Sequence, residues 1–256
     1  MTELLEITGI SIFLYMTFVY GVSIFLKDAS IVDVAWGLGF IMISLLNVYI
    51  MGVHTPLVLV SIIVTIWGAR LAWHILKRKI SRPGEDFRYA AWRKSWGKMF
   101  LLRSYFQVFL LQGLIMFIIS LPIIAIANNP RESWSLWMVL GSIVWAGGFA
   151  CESIADSQLS HFKSNPQNKG KVMTTGLWKL SRHPNYFGES VQWWGVWVIS
   201  LSFPYWWAIV SPLLLTYLLL YVSGVPMLEK KYAGNPEFEK YKANTSAFIP
   251  WFPRSY

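Results

Sequence analysis

The chain has 256 residues, of which 55% are hydrophobic and only 14% charged, and its formal net charge is +9. A soluble domain usually carries about a quarter charged residues, so this composition excludes an ordinary soluble protein and indicates membrane-spanning segments. The single cysteine, Cys151, excludes a disulfide framework and a cysteine-based metal site.

Apolar runs bounded by turn or polar residues predict seven helices. Their ranges are 4–26, 31–52, 55–76, 104–127, 134–156, 186–203 and 206–227. Several reach the ~20 residues that cross a ~30 Å hydrocarbon layer. The sequence therefore predicts an all-α, polytopic membrane bundle that forms a single integral membrane domain over residues 1–256.

The cations are distributed unevenly among the connecting segments. Segment 77–103 carries nine Lys or Arg, and segments 157–187 and 228–256 carry five each. With two more near span ends, 21 of the 22 cations fall on one predicted side, and only Arg131 falls on the other. The positive-inside rule then places the N-terminus outside and the C-terminus in the cytosol. The net charge is thus a topology signal, and we expect no nucleic-acid partner.

Segment 77–103 interleaves aromatic and cationic side chains, among them Arg88, Trp92 and Trp96. This pattern is typical of a helix that lies at a membrane interface. At about thirty residues, the segment is too long for a tight turn, and long loops in compact domains are often functional.

The stretch from Gly176 to Trp194 begins as a basic turn and continues as an apolar helix, with Pro184 suited to the first helical turn. A polar stripe at helical spacing consists of Asn185, Glu189 and Gln192. Arg182, His183 and the free N–H groups of the helix start favour a phosphate-bearing ligand. A cationic loop beside a membrane helix whose polar groups bond neighbouring helices explains the stretch equally well.

Six ionisable residues lie within or at the ends of predicted spans, all in the cytosolic half. They are Asp33, Arg70, His74, Glu152, Asp156 and Glu189. Charged groups are costly in a bilayer and usually face an interior cavity. We expect a polar pocket open to the cytosol, although a structural network that pairs the acids with Arg70 is the alternative.

Motifs that the sequence lacks exclude several kinds of ligand and catalytic site for this pocket. The histidines show no HxxH or HxxxH spacing, so a histidine-rich metal centre is not indicated. There is no GxSxG elbow, GxGxxG fingerprint or Walker loop. These absences leave a bulky anionic cofactor held by helix ends, cations and aromatic faces.

The motifs also carry a family resemblance. Residues 182–189, read as Arg-His-Pro-Asn-Tyr-Phe-Gly-Glu, and 249–252, read as Ile-Pro-Trp-Phe, resemble the C-terminal half of the steroid 5α-reductases. Residues 33–37 and 84–89 are similar to those of bacterial membrane proteins with a steroid-reductase-like domain, the DUF1295 type. The resemblance spans nearly the whole chain and is strongest over 152–252.

This resemblance implies an activity and a location. The expected protein lies in the bacterial inner membrane, as a monomer with its active site open to the cytosol. It binds NADPH, chiefly through the part covering 134–256, and reduces a carbon–carbon double bond conjugated to a ketone. The substrate is a lipophilic small molecule, either a steroid or another enone, which enters from the lipid bilayer.

The resemblance also implies roles for individual residues. Cofactor positions of the family correspond to Arg70, Glu152, Asp156, Lys163, Asn185, Glu189, Trp193 and Tyr241. We add His74, Lys171 and Arg182 from the same polar layer and basic loops. Asp33 takes the place of a catalytic glutamate that binds the substrate ketone. As a protonated acid, it would donate a hydrogen bond to the oxygen on which negative charge develops after hydride transfer.

One position departs from the family pattern. The tyrosine that accompanies the catalytic glutamate aligns with Trp67, which cannot supply the same hydroxyl. We expect Trp36 and Trp67 to line the path of the substrate, whose identity this departure leaves open.

Two other hypotheses for the function remain. Membrane methyltransferases that act on isoprenylated cysteine or phospholipids share the Arg-His-Pro-X-Tyr motif and use S-adenosylmethionine. Segment 157–187 has five cations and no acid, which suits a polyphosphate better than a sulfonium cation. The second alternative to the reductase is a non-catalytic membrane protein whose polar residues only hold helices together.

The predicted topology can be tested by cysteine labelling in a Cys151→Ser background. A cysteine at Ser164 should resist a membrane-impermeant thiol reagent in intact cells, because the basic segment around it is expected in the cytosol. A cysteine at Ser133 should label under the same conditions. The opposite result at both positions would invert the topology.

Overall fold

The computed structural model describes residues 1–81, 84–130, 133–230 and 232–253. Arg131, the one cation predicted on the outer side, lies outside the described residues. The described chain is almost wholly helical, and its β-structure is limited to one isolated parallel bridge between Ser181 and Ser246.

Thirteen α-helices occur among the described residues. In chain order they are α1 (Thr2–Leu26), α2 (Ile31–Met51), α3 (Thr55–Ser81), α4 (Phe87–Trp96), α5 (Phe100–Ser104), α6 (Leu111–Ile119), α7 (Leu121–Ala127), α8 (Leu136–Ser164), α9 (Leu177–Leu180), α10 (Pro184–Ser200), α11 (Val210–Tyr217), α12 (Val225–Lys230) and α13 (Pro236–Asn244). The π-helical segments Tyr105–Leu110 and Leu218–Val222 follow α5 and α11.

Six continuous helical runs of the described chain are long and apolar enough to cross a membrane. They are Thr2–Leu26, Ile31–Met51, Thr55–Ser81, Phe87–Ile119, Leu136–Ser164 and Trp206–Lys230. The prediction of a polytopic helical membrane protein is therefore confirmed. Of the seven predicted helices, the sixth corresponds to α10, whose 17 residues rise roughly 26 Å, near the lower limit of a span.

Several helix boundaries differ from the predicted ones. Helix α8 does not end at residue 156 but continues to Ser164, because no Gly or Pro occurs between residue 156 and Pro166. Lys163 therefore lies on a helix, although the sequence suggested a loop. The predicted helix 104–127 is interrupted at Ser120, because Pro122 has no N–H to donate to the preceding turn.

The chain divides into two compact units. The first comprises Met1–Trp134 with Phe203–Ala208, and the second comprises Ser135–Ser202 with Ile209–Tyr256.

In the first unit, α2 and α3 pack backbone against backbone. A Cβ at Gly37 would lie 2.5 Å from the Gly68 carbonyl oxygen, and a Cβ at Gly68 would lie 2.6 Å from the Gly37 oxygen. The Tyr15 hydroxyl of α1 donates to the Ala35 carbonyl at 2.7 Å. These contacts fix the start of α2, and with it Asp33, against its neighbours.

In the second unit, α8 and α10 run antiparallel and touch at two pairs of glycines. Gly141 faces Gly195, and Gly148 faces Gly188, so an added Cβ at any of the four would lie 2.5–2.7 Å from backbone atoms of the opposite helix. Along each helix the two glycines are seven residues apart, which is about two helical turns and places them on one face. Small residues at this spacing allow the close packing on which membrane helices depend.

The two adjacent glycines of α8 provide a test of this packing. Gly148→Ala should lower the melting midpoint of the detergent-purified protein, because its Cβ would lie 2.7 Å from the Gln192 nitrogen and the helices would have to separate. Overpacking of this kind costs about 1–3 kcal/mol. Gly147→Ala is the matched control, since its Cβ meets no atom within 4 Å and alanine favours a helix. Equal midpoints for the two variants would contradict the contact.

Candidate functional site

The crossing of α8 and α10 carries a layer of buried polar side chains. Glu152 is 3% exposed and Asp156 8% exposed, one turn apart on α8. From α10, Gln192 Nε2 donates to Glu152 Oε2 at 2.6 Å, and Asn185 Nδ2 donates to Asp156 Oδ1 at 3.1 Å. The glycine pair Gly148–Gly188 brings the backbones close enough for these short side chains to meet.

The orientation of the two amides follows from the two acids. A carboxylate only accepts hydrogen bonds, so each amide must turn its NH₂ group toward the acid and its oxygen away. As a result, Asn185 Oδ1 and Gln192 Oε1 are buried acceptors with no hydrogen-bond partner among the described residues. Leaving such an acceptor unsatisfied costs about 1–3 kcal/mol, so these oxygens suit a ligand with hydroxyl or N–H donors.

The turn before α10 is held by a second polar cluster. Arg182 Nε donates to Glu229 Oε1 at 2.8 Å, and His183 Nε2 lies 3.3 Å from the same oxygen. Arg182 Nη1 also donates to the Lys242 carbonyl at 3.1 Å and to that of Thr245. The guanidinium thus ties the turn to α12 and to the C-terminal segment, and its predicted contact with a cofactor stays a prediction.

Tyr241, another predicted cofactor residue, strengthens the same connection. Its hydroxyl donates to the Trp178 carbonyl and lies 3.2 Å from the Ser181 carbonyl. Burial raises the pKa of the Tyr241 hydroxyl, which therefore remains a neutral donor at neutral pH. The Ser181 hydroxyl donates to the Phe248 carbonyl at 2.7 Å. The C-terminal segment thereby fixes the conformation of the Arg-His-Pro motif.

A pocket of about 330 Å³ lies at the end of α8 that follows the acids. Its polar lining consists of Gln158, His161, Asn165, Asn168 and Thr175, and no acid contributes to it. Gln158 Oε1 accepts from the Leu177 N–H at 3.0 Å, which fixes the wall formed by Gly176. The exposed lysines 163, 169 and 171 belong to the same segment of chain. An acid-free polar pocket beside lysines suits an anionic ligand.

The remaining predicted residues of the second unit lie on the same two helices. Glu189 and Trp193 follow Asn185 at one and two turns along α10, Glu189 half-buried and Trp193 buried. Both make contacts within the protein. The structure thus brings Glu152, Asp156 and Asn185 together, and Lys163 and Lys171 belong to the segment of chain that lines the pocket.

The first unit contains Asp33, Trp36, Trp67, Arg70 and His74. Arg70 and His74 are half-buried on one face of α3, as their spacing predicts. The Trp36 and Phe40 ring centroids lie 5.3 Å apart, and those of Phe40 and Trp67 5.6 Å apart. Trp67 is thus buried in an aromatic row.

Asp33 has two partners on α4. Arg88 Nη2 lies 2.5 Å from Asp33 Oδ2, and the Tyr89 hydroxyl donates to Asp33 Oδ1 at 2.6 Å. The sequence allowed two states for this acid, protonation or pairing with another helix, and the geometry favours a carboxylate paired with Arg88. Arg88 lies on α4, whereas the structural network considered from the sequence had Arg70 on α3 as the partner of the acids.

Sequence reasoning missed three residues of these clusters, namely Arg88, Tyr89 and Glu229. A signal existed for Glu229, since it is an acid at the end of an apolar span, as Glu152 and Asp156 are. For Arg88 and Tyr89 the only signal was their place in the stretch 84–89, because nothing in the sequence pairs α4 with the start of α2.

These features define a polytopic helical membrane protein with a buried polar layer where two close-packed helices cross. The chain belongs to the family described as "Protein of unknown function (DUF1295)", which matches residues 19–245.

Two curated relatives are similar to parts of the chain. The "Uncharacterized protein C594.04c" of Schizosaccharomyces pombe is 28% identical over 226 residues, covering 77% of this chain and 63% of the yeast protein. The "Probable O-methyltransferase ustE" of Ustilaginoidea virens is 44% identical over 50 residues, which cover 20% of this chain and 18% of that protein. The chain thus spans less than two thirds of the length of either relative. No solved structure matches the chain.

The acids between α1 and α4 predict a pH dependence of stability. Asp28 is paired with Lys79, and Glu85 accepts from Arg93 and the Ala29 N–H at 2.8 Å. Burial alone would raise the pKa of each carboxyl, but these hydrogen bonds and cations more than offset it and lower both pKa values. The carboxylates therefore stabilise the fold above their ordinary pKa, and this contribution is lost as the pH falls through the lowered values.

We expect Glu85→Gln to show this dependence in melting midpoints measured in detergent. The variant should melt below the wild-type protein at pH 7, and the difference should shrink as the pH falls below 4.5, the ordinary pKa of a glutamate. A difference that stays constant down to pH 3 would show that Glu85 does not contribute through its charge.

Proposed function

We propose that this protein is an NADPH-dependent membrane reductase that transfers a hydride to the β-carbon of an enone in a lipophilic substrate. The observation that carries the proposal is the second unit's combination of an acid-free polar pocket with a buried layer of unsatisfied amide oxygens. A dinucleotide has both kinds of group that these features suit, namely phosphates for the pocket and hydroxyl or carboxamide donors for the oxygens.

The residues of the second unit divide into two roles under this proposal. Lys163 and Lys171, with the pocket side chains, bind the phosphates. Asn185 and Gln192 accept hydrogen bonds from the cofactor, and Asp156 and Glu152 hold the two amides in the required orientation. When bound, NADPH supplies the hydride.

Negative charge develops on the substrate ketone once the β-carbon receives a hydride, and a fixed donor lowers that barrier. We assign this contact to Asp33 and the two side chains bonded to it. A paired carboxylate cannot donate, but it orients the Tyr89 hydroxyl and the Arg88 guanidinium, both of which can. Tyr89 thereby provides the hydroxyl that Trp67 lacks.

A methyltransferase that uses S-adenosylmethionine is the second candidate, because a 50-residue stretch is similar to a probable O-methyltransferase. Such an enzyme would also suit the buried acids Glu152 and Asp156, which can accept from ribose hydroxyls. It does not account for the acid-free pocket, since a sulfonium cofactor carries no phosphate. We therefore favour the reductase.

The two candidates are separated by ligand-induced stabilisation of the detergent-purified protein. NADPH should raise the melting midpoint, since a ligand at a hundredfold its Kd stabilises by about 2.7 kcal/mol, and S-adenosylmethionine should not. Asn185→Ala and Lys171→Gln should each reduce the NADPH shift. The controls are Asn129→Ala and Lys179→Gln, which lie outside the proposed site and should keep it. A shift with S-adenosylmethionine alone would establish the methyltransferase instead.

A further inference from the structure

We propose that the segment Phe87–Phe106 carries a binding surface for anionic phospholipid, in which Lys94, Lys98 and Arg103 bind the headgroup phosphates. We call these three residues the basic collar. This inference concerns the first unit alone and does not depend on the proposed reductase activity.

The first observation is that the acids near this segment form ion pairs with two of its arginines. Glu85 is bonded to Arg93 through both oxygens at 2.8 Å, and Asp33 and Asp86 share Arg88. Each acid between the start of α2 and α4 thus has an arginine partner in the same unit, with Arg88 shared between Asp33 and Asp86. Among the described residues, these acids form ion pairs with Arg88 and Arg93 and not with the cations that follow.

The three cations of the basic collar are not used in ion pairs with these acids. All three of its side chains are exposed, and within the described chain no carboxylate lies at ion-pair distance from any of them. Three exposed cations over ten residues create a local positive potential that attracts anions. Gly97, with φ of +51°, ends α4 between the first two and lets the chain change direction before α5.

The second observation is the apolar surface next to the collar. After Lys98, the exposed large apolar side chains of the segment are Met99, Leu101, Leu102 and Phe106. They lie within the helical run Phe87–Ile119, which is long and apolar enough to cross a membrane, and the collar directly precedes the apolar helix predicted from residue 104. Cations that flank an apolar span in this way are found at headgroup level. Cations that border apolar surface at this depth favour a ligand with a phosphate head and acyl chains over a soluble anion.

Aromatic packing gives the collar a rigid base. The Trp92 and Trp96 rings stack with centroids 5.6 Å apart, and Arg93 lies 3.9 Å from the centroid of the Phe100 ring. Tryptophan is enriched at membrane interfaces because its ring is apolar and its N–H polar. A fixed backbone reduces the ordering cost of lipid binding.

The proposal is tested with two lipids that differ only in the headgroup. Dioleoyl phosphatidylglycerol and dioleoyl phosphatidylcholine are titrated into the full-length protein in detergent, and bound lipid is counted by native mass spectrometry. The wild-type protein should prefer phosphatidylglycerol. The triple variant Lys94→Gln, Lys98→Gln, Arg103→Gln should lose roughly a hundredfold of that preference, at about fivefold per cation.

The control is a second triple variant, Lys169→Gln, Lys179→Gln, Lys240→Gln, which removes the same charge from exposed lysines of the second unit. It should keep the preference, and an equal loss in both variants would show an effect of net charge alone and overturn the proposal. Equal binding of the two lipids by the wild-type protein would also overturn it. If the triple variant does not fold, Lys98→Gln alone is used, because Lys98 lies in an exposed turn. This single variant should lose about fivefold of the preference for phosphatidylglycerol.

Discussion

The candidate site depends on how closely α8 and α10 approach each other. Where Gly148 meets Gly188, the two backbones are in contact, and any side chain there would push them apart. Asparagine and aspartate are short, so the hydrogen bond between Asn185 and Asp156 exists only because the helices are this close. The glycine pairs therefore set the geometry of the polar layer as well as the stability of the second unit, since membrane helices pack without a hydrophobic driving force between them.

The acids around Asp33 and those at the α8–α10 crossing have different partners. Around Asp33 they form ion pairs, with Arg88 shared between Asp33 and Asp86 and with Arg93 bonded to Glu85. At the α8–α10 crossing, Glu152 and Asp156 each accept a hydrogen bond from an amide of α10, and these amides bring unsatisfied acceptors of their own. A cluster of matched charges is self-sufficient, whereas a layer with unsatisfied acceptors is suited to a ligand. This difference is why we assign the cofactor to the second unit.

Much of the architecture was predictable, because hydropathy and helical periodicity are local properties. Five of the seven predicted helices begin within two residues of the observed ones, and Pro184 begins α10 as its chemistry requires. The pairing of Arg88 with Asp33 could not be predicted, since 55 residues separate them and only tertiary packing brings them together. The same holds for Glu229 and Arg182. The polar stripe of α10 was predicted, but the direction of its amides became clear only from the acids on α8.

The position of Trp67 bears on which residue would provide a hydroxyl under the proposed reductase function. Trp67 is buried in the aromatic row with Phe40, so its ring contributes to packing within the first unit. The hydroxyl that lies on Asp33 comes instead from α4, which begins just after the side-chain cap that Asp86 provides through the Arg88 N–H. The cap fixes the first turn of α4, and that turn presents Arg88 and Tyr89 together to the carboxylate. Under the proposed reductase function, Tyr89 would therefore supply from α4 the hydroxyl that Trp67 cannot, held in place by the charges of that helix.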